Sequence, residues 1–190
     1  MRAWRLAMAI VSLAAVASAA EVGGIRVDER TSLGASELVL NGAGLRKRAF
    51  FKVYVAGLYL TEKRTSPQDV LALGGPKRLS ITLLRNLGTR QLVDALRDGI
   101  RRNSSPEEQQ AVKGRMDGLI ADLLAVPQGR KGDVLTVDWL PDAGTLVALN
   151  GEVKSHAIPG EDVYRTLLKV WLGDNPTSAG LKRALLGQAQ

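Results

Sequence analysis

The spacing of apolar residues changes three times along the chain, and this order constrains the fold more than any other feature. Residues 50–60 (FFKVYVAGLYL) are aromatic and β-branched with a single glycine, which predicts a long central strand. Residues 77–85 predict another strand. Beyond Gly88, apolar side chains recur every three or four positions from residue 92 to residue 100, which is typical of an amphipathic helix.

A second helix has a clear start signal in residues 105–108, SPEE. Serine is a good capping residue, proline is favoured at the first helical position, and Glu108 can reach back to the backbone amide of the cap. The apolar stripe of this helix continues to Leu124, and Pro127 ends it. We expect that stripe to face a core.

The spacing then alternates again. Residues 134–140 and 145–149 predict a hairpin, and Asn150-Gly151 predicts a second hairpin turn because both positions tolerate positive φ. Helical spacing returns over residues 163–172, which end at Gly173, and a last short helix contains residues 181–185.

The segment before the central strand contains two short strand-like runs, residues 24–30 and 37–40, separated by the polar residues 31–34. Residues 41–44 (NGAG) predict a small turn. Strands, two helices, strands and two helices follow in order, and antiparallel hairpins outnumber crossover units. We therefore expect a single α+β domain, an open-faced antiparallel β-sheet with helices packed on one face.

The first residues have the layout of a secretory signal. Arg2 and Arg5 precede an apolar run, and small residues follow at positions 17–20, which predicts a signal peptide over residues 1–20 with cleavage after Ala19 or Ala20. A retained membrane anchor is the alternative, but the run is shorter than the roughly 20 apolar residues that a bilayer requires. The mature domain, residues 21–190, is expected in the periplasm without stable membrane insertion.

Composition excludes several classes of site. The chain has no cysteine, which removes thiol chemistry, thiolate metal sites and iron–sulfur clusters. The formal charge is +7, but basic and acidic residues are interleaved along the helices without aromatic residues, so we expect no nucleic-acid binding. The single histidine, His156, cannot form a cluster, and we interpret it as a surface-loop residue rather than a catalytic or metal-binding group.

The glycine pair at residues 42 and 44 is not a nucleotide-binding loop, because the third glycine is missing and position 47 is Lys47. We expect these glycines to permit a tight turn that brings backbone close to a neighbour or a ligand. No metal, cofactor or catalytic residue is predicted from the chain.

A family resemblance is visible in three segments. Residues 40–46 (LNGAGLR) and residues 52–60 (KVYVAGLYL) resemble the glycine-rich turn, arginine and following strand of chalcone isomerases, and residues 171–186 are similar to that family's closing helices. The resemblance implies an open sheet with helices on one side and a ligand cleft between them. Enzymes of the family close a flavanone ring, and fatty-acid-binding relatives seat a carboxylate against an arginine and a tyrosine.

The resemblance places the family's arginine at Arg46 and a strand position that is threonine in the plant enzymes at Tyr54, as in the binding relatives. The positions of the catalytic tyrosine and asparagine fall at Gly88 and Ala95, which have no side-chain donor. The late hydroxyl position falls near Val170, with Thr166 one turn earlier.

The resemblance thus implies a non-catalytic protein that binds a fatty acid or a similar apolar anion, with Arg46 and Tyr54 as the ligand-binding residues. Two alternatives stay open: an isomerase or intramolecular lyase for a substrate that is not a flavonoid, and a structural partner of envelope proteins. Arg46 could also only hold the turn, and Tyr54 could be a core aromatic.

Overall fold

The computed structural model describes residues 19–188. Residues 1–18, most of the predicted signal peptide, lie outside this part. Ala19 and Ala20, at the two predicted cleavage positions, begin a four-residue strand, β1 (Ala19–Val22), which pairs antiparallel with β2 (Ile25–Asp28). Cleavage after Ala20 would therefore remove half of β1. No helix within the described residues is long and apolar enough to cross a bilayer.

Seven further strands form one antiparallel sheet in which neighbours in sequence are neighbours in space. Their bounds are β3 (Arg30–Leu33), β4 (Ser36–Arg48), β5 (Phe51–Leu60), β6 (Lys77–Leu83), β7 (Val134–Leu140), β8 (Gly144–Leu149) and β9 (Glu152–Val153). Five helices complete the described part: α1 (Pro67–Ala72), α2 (Thr89–Asn103), α3 (Pro106–Leu124), α4 (Glu161–Leu172) and α5 (Ala179–Leu185).

The predicted α+β fold is confirmed. The sheet is curled, and its concave face packs against the helices through a large apolar core. Helix α4 is the centre of this layer, with Val163, Tyr164, Leu168 and Leu172 almost fully buried. An apolar stripe of this width is what a helix needs to bury one side against a sheet.

The opposite face of the sheet also carries an apolar core, which was not predicted from the sequence. The β1–β2 hairpin covers part of it, and a second, smaller core forms around Val27, Leu38, Val55 and Tyr59. The Tyr59 hydroxyl donates a hydrogen bond to the carbonyl of Asp28 at 2.9 Å, which connects this hairpin to β5.

The predicted turn at residues 41–44 is wrong, because β4 continues through it. The strand has an irregular register between Leu40 and Gly42, where Asn41 is the extra residue. Asn41 is buried, donates to the carbonyl of Leu185 at 2.7 Å and accepts from the amide of Arg64 at 2.7 Å. A Cβ at Gly42 would collide with the carbonyl oxygen of Ala184, so this glycine permits close approach of α5 rather than a turn.

The hairpin turn between β4 and β5 lies instead at residues 49–50, where Ala49 has a φ of 50°. The polar segment at residues 31–34 was also interpreted wrongly as a connection. Most of it belongs to β3, an edge strand in which only Leu33 is buried. A short polar edge strand has a solvent-exposed composition that resembles a loop.

Other local signals were interpreted correctly. Ser105 and Glu108 form the reciprocal capping box at the start of α3. Asn150 and Gly151 have φ values of 52° and 81° at the predicted hairpin turn. Helix α1 was not predicted, although Ser66 caps it and Pro67 follows at its first position, the same signal that identified α3.

Candidate functional site

An apolar cavity of about 160 Å³ lies between the sheet and helices α2, α3 and α4. Its wall is built from strands β5 to β8 and from these helices, and it includes Leu83, Leu92, Leu96, Leu123, Val137 and Leu167. A dry cavity of about 150 Å³ holds a benzene-sized ligand. The cavity as it stands thus accommodates one ring or a short acyl segment.

Two helix contacts position the wall. Gly99 of α2 lies against Val170 of α4, where an added Cβ would be 2.5 Å from a valine methyl, so the two helices cross closely. The guanidinium of Arg115 in α3 forms two hydrogen bonds with the carboxylate of Asp162 at the start of α4. These contacts hold α2 and α3 on α4.

One end of the cavity is polar and is formed by Tyr54, Trp171 and Thr177. The Trp171 indole Nε1 donates a hydrogen bond to the Tyr54 hydroxyl at 2.9 Å. Burial raises the pKa of the Tyr54 phenol, whereas its neighbours Trp171 and Thr177 and the charge of Arg46 lower it by less. Tyr54 is therefore neutral and retains its proton at physiological pH.

Two hydroxyls, those of Tyr54 and Thr177, lie together at this end. The Thr177 hydroxyl is buried and makes no hydrogen bond of ordinary geometry with the described residues, but it is close enough to Tyr54 to lower the pKa of that phenol. The Tyr54 hydroxyl accepts a hydrogen bond from Trp171. At most one of the two hydroxyls can donate to the other, so one proton is left over and favours a ligand with an acceptor oxygen.

Arg46 lies beside this end but does not enter the cavity. It is directly opposite Tyr54 in the β4–β5 register, so both side chains are on the helix-covered face of the sheet. Arg46 is half-buried, and its guanidinium donates to the carbonyl of Lys47. The structure thus makes the two predicted ligand-binding residues neighbours, and only Tyr54 contributes to the cavity wall.

The positions that correspond by resemblance to catalytic residues also fall at the cavity. Ala95 and Val170 line it, and Gly88 immediately precedes the lining residue Thr89. Neither Ala95 nor Val170 has a hydrogen-bonding side chain, and the Thr89 hydroxyl already donates to the carbonyl of Val126 at 3.0 Å. Thr166 is buried in α4 and is not part of the wall.

The side chain of His156 lies at the surface, with 92% of its area accessible to solvent. Its Nδ1 lies 3.0 Å from a carboxylate oxygen of Asp122, and its backbone amide donates to the same oxygen at 2.8 Å. The described residues contain no group of three or more histidine, aspartate or glutamate side chains that could hold a metal ion.

Trp171 and Thr177 are site residues that the sequence did not reveal. Trp171 belongs to the predicted apolar stripe and to the segment that resembles the family's closing helices, but a buried indole N–H also requires an acceptor and so indicates a polar partner. Thr177 had no local signal, because the loop after α4 places it near Tyr54 through tertiary packing alone.

The comparisons with known proteins agree with this architecture. The model of the chalcone isomerase-like family matches residues 19–187. No curated protein matches the chain. Among solved structures, the crystal structure of the Arabidopsis thaliana fatty-acid binding protein AtFAP1 superposes with a TM-score of 0.65 at 14% identity, covering 86% of this chain and 92% of that one. Because the family model covers nearly the whole described domain, this chain belongs to the chalcone isomerase-like family.

Proposed function

We propose that this domain binds a fatty acid or a similar apolar anion without catalysing a reaction, and that it does so in the periplasm after its signal peptide is removed. The acyl chain occupies the cavity between the sheet and helices α2 to α4. The carboxylate accepts hydrogen bonds from the Tyr54 and Thr177 hydroxyls and lies near the guanidinium of Arg46.

The observation that carries the proposal is the combination of an apolar cavity with two neighbouring hydroxyls, Tyr54 and Thr177, at one end. A carboxylate offers several acceptor sites and is the group that such donors bind best. The fatty-acid-binding function of AtFAP1, which has a similar fold, supports the same assignment.

Arg46 adds charge to this end. Its guanidinium hydrogen-bonds a backbone carbonyl at the protein surface, a contact that water can replace at little cost. A change of rotamer would direct it toward the phenol of Tyr54, whose pKa already responds to its charge. A planar guanidinium can then form a bidentate pair with the carboxylate.

Ligand size sets a further condition. A long acyl chain exceeds a benzene-sized cavity, so its tail must leave through the rim or separate the helices. Ala95, which is exposed and lines the cavity, marks an open side on α2. A tail that passes Ala95 would reach solvent or a second apolar surface.

The same two hydroxyls would also suit the developing oxyanion of an enolate, which keeps an isomerase or intramolecular lyase as a second candidate. The apolar side chains at Ala95 and Val170 argue against flavanone formation.

Native mass spectrometry of the protein purified from the periplasm of its own host tests the proposal. We expect a non-covalent adduct whose mass corresponds to a carboxylic acid, on a chain that begins near Glu21. A chain that carries no adduct and binds no added fatty acid would contradict the proposed ligand, and a chain that still contains Met1 would contradict the proposed export.

A further inference from the structure

We propose that the tip of the β4–β5 hairpin, residues 47–52, docks on the surface of an anionic phospholipid bilayer. This basic-aromatic tip consists of Lys47, Arg48, Ala49, two phenylalanines and Lys52. The docking is inferred from the tip alone and does not depend on the proposed ligand.

The two phenylalanines of the tip are exposed to a degree that is unusual for their size. Phe50 is 100% exposed and Phe51 is 60% exposed, and they are adjacent at the hairpin turn. The other large exposed apolar residues of the described part, Leu124 and Val153, lie singly on α3 and β9. Single exposed apolar residues are ordinary, whereas a contiguous protruding pair indicates an interaction surface.

Cations flank these rings in sequence, and one lies on a ring. Lys47, Arg48 and Lys52 are exposed, and the guanidinium of Arg85 lies 5.0 Å from the centre of the Phe51 ring. None of these four groups forms an ion pair with a carboxylate of residues 19–188, and no aspartate or glutamate occurs between Glu37 and Glu62.

This pairing of charge and apolar area matches an anionic lipid surface. Phenylalanine side chains partition into the boundary between headgroups and acyl chains, and nearby lysines and arginines attract anionic headgroups. A nucleic-acid strand needs a groove that follows its backbone, whereas these residues protrude at a turn. The proposed contact is peripheral, because the tip is a hairpin end of six residues rather than a spanning segment.

Docking would also bring the cavity close to the membrane. Phe51 and Tyr54 are three residues apart on β5, which corresponds to about 10 Å along the strand. The polar end of the cavity would then lie near the headgroups, where a fatty acid can leave the bilayer. Only this consequence rests on the proposed function.

Co-sedimentation of the exported chain, without residues 1–20, tests the docking on vesicles, because the apolar run in those residues would itself enter a bilayer. We expect binding to phosphatidylglycerol vesicles and much weaker binding to phosphatidylcholine vesicles, with loss of affinity as salt increases. F50S/F51S should weaken binding to phosphatidylglycerol by at least roughly tenfold, because two apolar anchors are lost. K47Q/R48Q should weaken it by about thirtyfold and reduce the salt dependence.

Matched controls separate the tip from general effects. L124S/V153S removes the same kind of exposed apolar residue elsewhere, and R102Q/R183Q removes two exposed positive charges from α2 and α5. Both controls should bind vesicles as the unmodified chain does.

The proposal is overturned if the unmodified chain does not bind anionic vesicles, or if F50S/F51S binds them equally well. It is also overturned if F50S/F51S changes only the sedimentation coefficient, because the tip would then be a contact between two copies. Fatty-acid titration of F50S/F51S in solution should be unchanged, so failure of the docking leaves the proposed ligand site standing.

Discussion

Replacement of Tyr54 by phenylalanine separates a ligand-binding role from a packing role. The change removes one hydroxyl and keeps the ring, so the packing of β5 against α4 is preserved. Two losses follow from the structure. The ligand carboxylate loses a neutral donor, and the Trp171 indole N–H, which donates to this hydroxyl at 2.9 Å, is left buried without a partner.

The two losses have different magnitudes and different measurements. A hydrogen bond to a charged group contributes about 1.5–3 kcal/mol, so the affinity for a fatty acid should decrease roughly ten- to a hundredfold. An unsatisfied buried N–H costs about 1–3 kcal/mol, which should appear as a lower free energy of unfolding in urea. Calorimetric titration of delipidated protein with dodecanoic acid measures the first quantity.

Two further variants control this experiment. Tyr59→Phe also removes a buried tyrosine hydroxyl with one 2.9 Å hydrogen bond, but on the opposite face of the sheet, so it should lower stability by about 1 kcal/mol and leave affinity unchanged. Thr177→Val removes a hydroxyl that makes no hydrogen bond of ordinary geometry, so it should weaken binding with little loss of stability. The reasoning is refuted if Tyr54→Phe and Tyr59→Phe bind dodecanoic acid equally well.

Three other predictions follow from the described residues. All three tyrosines have a raised pKa, Tyr59 to about 12, mainly because they are buried. Their contribution to stability is complete below the unfolded pKa of about 10 and is lost as pH rises above it. Tyrosinate absorbance should therefore appear only with alkaline unfolding, and titration of the folded protein near pH ~10 would contradict this. Gly42→Ala should lower the free energy of unfolding by about 1–3 kcal/mol or more, because its Cβ meets the backbone of α5. Gly114→Ala, which has open space in α3, should instead stabilise the domain by about 0.5–1 kcal/mol. Equal urea midpoints for the two variants would refute the close approach of α5 to Gly42. Chalcone absorbance should decay no faster with the protein than without it, because Ala95 and Val170 provide no donor. Saturable turnover that is lost in Arg46→Ala would contradict the proposal that the domain does not catalyse a reaction.

Local chemistry predicted most of the fold. The capping box at Ser105, the Asn150-Gly151 turn and the alternation in β7 and β8 each depend on residues close in sequence. Residues 41–44 were predicted as a turn because asparagine and glycine favour turns. In the structure Asn41 and Gly42 instead contact α5, more than 140 residues later in the chain. Such a use of glycine has no local signature.

The candidate site was predictable only in part. Tyr54 and Arg46 were identified through family resemblance, and their position opposite each other required the β4–β5 register, which depends on where the hairpin turn lies. Trp171 is 117 residues from its partner Tyr54, so the hydrogen bond between them is a product of how α4 packs on the sheet. The approach of the Thr177 hydroxyl to Tyr54 likewise exists only in the folded chain.

The central claim is that the polar end of the cavity binds a carboxylate, and a comparison of two ligands of equal chain length tests it most directly. Calorimetric titration of the delipidated protein with dodecanoic acid and with dodecanol should show much tighter binding of the acid. Arg46→Ala should weaken binding of the acid by roughly ten- to a hundredfold and barely change that of the alcohol. Equal affinities for acid and alcohol would contradict the account, even if both ligands enter the cavity.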